Sequence, residues 1–109
     1  MSWGLDIEYE GRDRLDWVEI VDGHTYNLEP MWRLAGIFKQ GSHELEGVRA
    51  DVLADRAARG LMRAVSKPAE FKALNPASGW GDYEGFIEIL TRTAIVCAEN
   101  RDGIVRWNG

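Results

Sequence analysis

The 109-residue chain has a single cysteine, Cys97, and only two histidines, His24 and His43. A disulfide scaffold is therefore excluded within the chain. The histidines lie far apart without the paired spacing of a zinc site, so no metal or cofactor is expected. No apolar run approaches the length that spans a bilayer, and no membrane association is expected. The opening residues, Met1-Ser2-Trp3-Gly4-Leu5-Asp6, carry neither a basic leader nor an apolar signal core. These absences point to a soluble, unprocessed cytoplasmic protein, and a lone cysteine in an apolar run fits an inert, buried thiol.

An excess of positive charge is missing as well. The formal net charge is -5. Residues 1–22 hold Asp6, Glu8, Glu10, Asp13, Asp16, Glu19 and Asp22 against Arg12 and Arg14, and acids and bases balance over the remainder. Binding to nucleic acid is not expected on this ground, because neutralising phosphates needs a basic face. Catalytic constellations are also lacking. Ser2, Ser42, Ser66 and Ser78 have no nucleophile-elbow context, and Glu84 and Glu88 are followed by Arg92 at the next i+4 position, which reads as a surface ion-pair ladder.

What is present is core material. Hydrophobic residues make up 45% of the chain, including five tryptophans, which suits one domain that buries roughly 65% of its unfolded surface. Residues 3–9 alternate, with Trp3, Leu5, Ile7 and Tyr9 on one face, and predict a half-buried strand. Gly11–Leu15 is a charged turn and Asp16–Val21 a returning strand, so an acidic hairpin is expected, its outward charges guarding an edge or, alternatively, docking a basic partner. Asp22-Gly23-His24-Thr25 is expected to break the strand. Pro30 suits the first turn of a short helix through Met31, Trp32, Leu34 and Ala35 ending at Gly36, and residues 37–47 read as a loop.

Helical spacing runs from Val48 to about Ser66, with Gly60 inside it as a candidate for a close helix contact. A short helical piece follows over Pro68–Leu74. Asp82 suits the N-cap of a last helix from Tyr83 to about Asn100, apolar around most of its circumference and expected to be covered on more than one side. Ile104–Trp107 predicts a strand that joins the hairpin. The order implies an α+β fold, a small antiparallel sheet with three to four helices packed on one face, in a single domain spanning residues 1–109.

Two features bear on binding. Arg56, Arg59, Arg63 and Lys67 fall at i, i+3, i+7 and i+11 and share a helix face, which reads first as a solvated surface, supported by Asp55 four residues before Arg59, and alternatively as a seat for an acidic protein or a phosphate. The stretch Asn75-Pro76-Ala77-Ser78-Gly79-Trp80-Gly81-Asp82-Tyr83-Glu84-Gly85 is the most specific in the chain. Its glycines precede a helix, yet Asp82 would place a carboxylate where a phosphate should sit, and no Lys-Ser/Thr follows. The stretch therefore reads as a helix-to-helix junction, with Trp80 expected to plug the core and, alternatively, to anchor a ligand or partner.

Tyr26-Asn27-Leu28-Glu29-Pro30-Met31 with Gly36-Ile37, Leu45-Glu46-Gly47, and Lys72-Ala73-Leu74-Asn75-Pro76 through Gly79-Trp80-Gly81-Asp82-Tyr83-Glu84-Gly85 together resemble a family of small bacteriophage and prophage proteins. The resemblance covers most of the chain after residue 16, residues 38–47 being less typical. It implies no activity, cofactor or catalytic residue. It does imply an accessory factor in the host cytoplasm that binds and blocks a host or defence protein. The leading expectation is thus a non-catalytic module that binds a protein partner, with Tyr26, Trp32, Trp80, Tyr83 and the Arg56, Arg59, Arg63 stripe as candidate contacts. Two alternatives stay open: a small ligand-binding protein or enzyme with a site lined by Asn27, Asn75, Trp80 and Tyr83, and a minor virion component.

Overall fold

The computed structural model describes residues 2–9 and 17–109. Strand β1 (Ser2–Glu8) lies at the centre of a three-stranded antiparallel sheet, between β2 (Trp17–Thr25) and β3 (Ile104–Asn108). The alternation in β1 works as its period requires. Trp3, Leu5 and Ile7 are buried, whereas Asp6 and Glu8 are in register with Arg106 and Ile104 of β3. The expected turn at Gly11–Leu15 lies outside the described residues.

Strand β2 does not end at Asp22. Two irregularities in its register let the strand pass Gly4 and run on to Thr25, with Gly23 at φ 67°. The turn chemistry of Asp22-Gly23 is absorbed as a bulge, which extra residues in one strand of an antiparallel pair produce without ending it. Gly4 is needed opposite this bulge, because a Cβ there would lie 2.8 Å from the Val21 carbonyl oxygen.

A 3₁₀ turn (Tyr26–Leu28), begun by the Thr25 hydroxyl accepting from Asn27 N at 3.2 Å, leads into α1 (Glu29–Leu34), where Pro30 occupies the first turn. The segment read as a loop contains a second 3₁₀ turn (Ser42–Leu45) that reaches the core through Leu45. Its polar composition hid this, since the Glu44 carboxylate accepts from the backbone N–H groups of Lys39, Gln40 and Gly41, and the buried Glu29 carboxylate accepts from Ser42 N and Oγ, both at 3.1 Å.

Helices α2 (Ala50–Ser66) and α4 (Tyr83–Glu99) run antiparallel. At one end Ala50 N donates to Gly103 O at 2.9 Å, and at the other the Tyr83 hydroxyl donates to Ala64 O at 2.9 Å. The short α3 (Pro68–Lys72) turns the chain between them. Asp82 caps α4 as expected, accepting from Gly85 N at 2.8 Å. Phe86, Leu90, Thr93 and Cys97 form the stripe of α4 that faces the core. Ile95 is more than half exposed, so α4 is not enclosed on all apolar sides. Burial pushes the Cys97 thiol up to about 12, which makes it inert as a nucleophile at neutral pH. The result is an α+β fold with helices on one face of the sheet.

Both sheet edges are managed. Gly47 N donates to Val105 O, Val105 N to Val48 O, and Trp107 N to a Glu46 carboxylate oxygen, so residues 46–48 cover β3. On the other side the Arg92 guanidinium reaches the carbonyls of Ile20 and Glu19 in β2. Arg92 therefore belongs to an edge cap and not to a ladder with Glu84 and Glu88.

Gly60 does mark a close approach, though to a turn and not to a helix. A Cβ at this position would lie 2.8 Å from Ile37 Cδ1 and 2.9 Å from Ala35 O.

Candidate functional site

The structure separates the candidate residues into two groups. Trp32 is fully buried and holds the aromatic centre of the core, in ring contact with Trp3, His24, Phe38 and Phe86. Its indole N–H donates to His24 Nε2 at 3.0 Å. His24 is thereby a core histidine at the end of β2 and not a loop residue, and burial lowers its pKa to about 4. Tyr83 is also buried, anchored to Ala64 O and tilted against Phe71, with Lys72 Nζ 5.5 Å from its ring centroid. Neither Trp32 nor Tyr83 is a surface contact. Their places near turns do not reveal this; each is buried with its hydrogen-bonding tip satisfied by an interior acceptor.

Trp80 shows the reverse. It is 73% exposed and plugs nothing. The loop around it is nevertheless fixed. Asn75 Oδ1 accepts from Tyr83 N at 2.9 Å, Gly79 N donates to Pro76 O, and Ser78 Oγ accepts from Trp80 N at 3.3 Å. Gly79 and Gly81 stand at φ 78° and 95°, a region that favours glycine. Gly81 presses on the buried Leu28, where a Cβ would lie 2.9 Å from Leu28 Cγ. Leu28, and not Trp80, is the side chain buried against this loop, and the indole lies outside the core.

Trp80 stands over a groove of about 780 Å³ whose other walls are Ser2, Gly23, Thr25, Tyr26 and Asn27. Three elements build it: the start of β1, the bulged end of β2 with the 3₁₀ turn after it, and the loop before α4. Tyr26 is half-buried, and Asn27 Nδ2 reaches Ser78 Oγ at 3.5 Å across the groove. Of the pocket residues expected from sequence, Asn27 and Trp80 are brought together here. Asn75 is used to hold Tyr83, and Tyr83 is in the core. Ser2, Gly23 and Thr25 were not singled out from the sequence, and only the register pairing Ser2 with Thr25 places them.

Among the described residues the groove lining contains no carboxylate, imidazole, amine or thiol. It offers aromatic faces and neutral hydrogen-bonding groups: the hydroxyls of Ser2, Thr25 and Tyr26, the Asn27 amide and the Trp80 indole N–H. Such a surface suits a ligand held by contact and hydrogen bonding. The buried Ser42–Glu29 pair is no substitute, because Ser42 Oγ also accepts from Trp107 Nε1 at 3.0 Å and is closed to solvent. Among the described residues, no group of three or more His, Cys, Asp or Glu side chains is placed to hold a metal ion, and no helix is long and apolar enough to cross a membrane.

The arginine stripe is exposed along α2. Among the described residues Arg59 forms no ion pair with Asp55, and Arg63 Nη1 donates to Leu34 O at 3.2 Å. The acidic side of the sheet is also real: partial burial, with the charges of Glu19 and Asp22 nearby, raises the Asp6 pKa. Arg106 joins Glu8 and Glu46 at 2.8 Å each on that face. The chain matches no family model, no curated protein and no solved structure.

Proposed function

We propose that this chain is a non-catalytic protein-interaction module of the phage accessory type, an inhibitor of a host or defence protein, and that it engages its partner through the groove between Tyr26 and Trp80. The observation that carries the reading is Trp80: a large aromatic, three-quarters exposed, on a loop whose neighbours are fixed by hydrogen bonds and by two left-handed glycines. A tryptophan on a hydrogen-bonded loop offers a large apolar surface at little cost in backbone ordering, a property of interface anchors. The neutral lining supports contact with an uncharged, partly apolar segment of a partner. The resemblance to bacteriophage proteins supplies the biological setting.

The test is capture from a bacterial lysate by the tagged chain, with Trp80→Ala as the control. Enrichment of one host protein by the wild type and its loss with the variant is the expected result. A chain that remains a free monomer across several hosts would count against the reading. A second reading, a small-molecule site in the same groove, is favoured by one observation, a volume of about 780 Å³ that falls in the range of ligand pockets. It predicts a bound metabolite that Trp80→Ala releases, with no protein partner.

A further inference from the structure

A second surface lies at the turn after α1, and it is charged where the groove is neutral. Arg33, Lys39 and Arg56 line an open cleft of about 620 Å³ beside Ile37 and Phe38, and among the described residues Glu44 is the one acid in its wall. Among the described residues that carboxylate forms no ion pair with the cations, and as a fixed negative charge it offsets one of the three. It accepts from the backbone N–H groups of Gly41, Gln40 and Lys39, which hold its pKa below the usual carboxylate range. Among the described residues Lys39, Arg56 and Arg59 form no ion pair. Arg33 Nη1 donates to Gln40 O at 2.8 Å and Arg63 Nη1 to Leu34 O at 3.2 Å. Each guanidinium is thus fixed by one backbone acceptor while its remaining N–H groups stay available, a preorganised arrangement for carboxylate binding.

The spacing selects among anions. From Arg56 to Arg59 and Arg63 the α2 axis rises about 4.5 and 10.5 Å, so the cations form a strip and do not converge on one point. A single phosphate would engage one end of it. An extended peptide places same-side side chains about 6.6 Å apart, so two or three acidic residues at alternate positions match the strip's length. A nucleic acid carries continuous charge and is opposed by the chain's net charge of -5.

We propose that the Arg33, Lys39 and Arg56 cleft, continued along α2 by Arg59 and Arg63, docks an extended acidic segment of a partner protein. The surface is separate from the Trp80 groove, and the inference stands or falls without it.

Fluorescence anisotropy with a labelled ten-residue peptide of alternating Glu and Ala at low salt tests the inference. Saturable binding is expected, weakened roughly tenfold in Arg56→Glu/Arg59→Glu and steeply by added salt. Among the described residues neither substituted side chain forms a hydrogen bond or ion pair, and an unchanged thermal midpoint verifies that the variant is folded. Trp80→Ala leaves peptide binding as in the wild type. The inference is overturned by absence of saturable binding, by equal affinity in the charge-reversal variant, or by loss of peptide binding in Trp80→Ala. Tighter binding of a ten-nucleotide single strand than of the peptide, or self-association at low salt that the charge reversal abolishes, would assign the surface to nucleic acid or to a second copy and overturn it equally.

Discussion

Replacing Gly60 by alanine sets two effects of known size against each other. Alanine in a helix interior is favoured over glycine by about 1 kcal/mol. Against this, the new Cβ would lie 2.8 Å from Ile37 Cδ1, 2.9 Å from Ala35 O and 3.1 Å from Ala35 Cβ, where carbon contacts normally settle near 3.5–4.0 Å. Ile37 Cδ1 is a side-chain tip and can swing away. Ala35 O is backbone at the end of α1, so relief there requires the whole turn to lift from α2. Overpacking of this kind costs about 1–3 kcal/mol, which leaves a net loss of about 1 kcal/mol and a thermal midpoint lower by roughly 4–8 °C. Thermal unfolding followed by circular dichroism is the assay. Ala58→Gly, at an exposed position of the same helix, isolates the propensity term and should lose about 1 kcal/mol. Adding Ile37→Val to Gly60→Ala removes one of the clashing atoms, so the double variant should lose less than the sum of the two changes. A midpoint that rises in Gly60→Ala would refute the reasoning and leave Gly60 as a simple weakness in the helix.

Two further predictions concern the core and the sheet edge. His24 titrates near 4 in the folded protein against an ordinary 6.5, so its neutral form stabilises the fold fully above pH 6.5 and that contribution is lost as the pH falls toward 4, a total of about 3 kcal/mol. Urea unfolding between pH 7 and 4.5 should show the slope, and His24→Gln, which can still accept from Trp32 Nε1 without titrating, should flatten it. Arg92→Ala should cost about 1–2 kcal/mol by releasing the carbonyls of Ile20 and Glu19, whereas Glu88→Gln should leave stability unchanged. Equal effects of the two changes would restore the helix ladder as the role of Arg92.

The period-2 burial of Trp3, Leu5 and Ile7, the Asp82 cap and the joining of β3 to the hairpin were legible in the sequence because each follows from local chemistry. The bulge that carries β2 past Gly23 was not, since Asp-Gly is also a turn signal and only the fit against Gly4 distinguishes the two. Likewise residues 37–47 look like a loop, because the acids that stabilise the turn there, Glu29 and Glu44, act by capping backbone N–H groups and leave no periodic signature. For the site, the sequence singled out Tyr26, Asn27 and Trp80 but also drew Trp32 and Tyr83 to the surface. The polar tips of Trp32 and Tyr83 find interior acceptors, His24 Nε2 and Ala64 O, through packing that no local sequence pattern announces.

Trp80 carries the central claim, and its removal tests it most directly. The side chain touches little of its own protein, so Trp80→Ala should change folding stability by no more than about 0.5 kcal/mol. Lost from an interface, an anchor of this kind costs about 2–4 kcal/mol, or roughly 30- to 1,000-fold in affinity. Quantitative capture from a host lysate, with the wild type and the variant in parallel and thermal midpoints measured on both, is the decisive measurement. Partner recovery that collapses in the variant at an unchanged midpoint is the predicted result. Equal recovery by the two proteins, or a midpoint that falls by many degrees in the variant, would contradict the account and return Trp80 to a structural role.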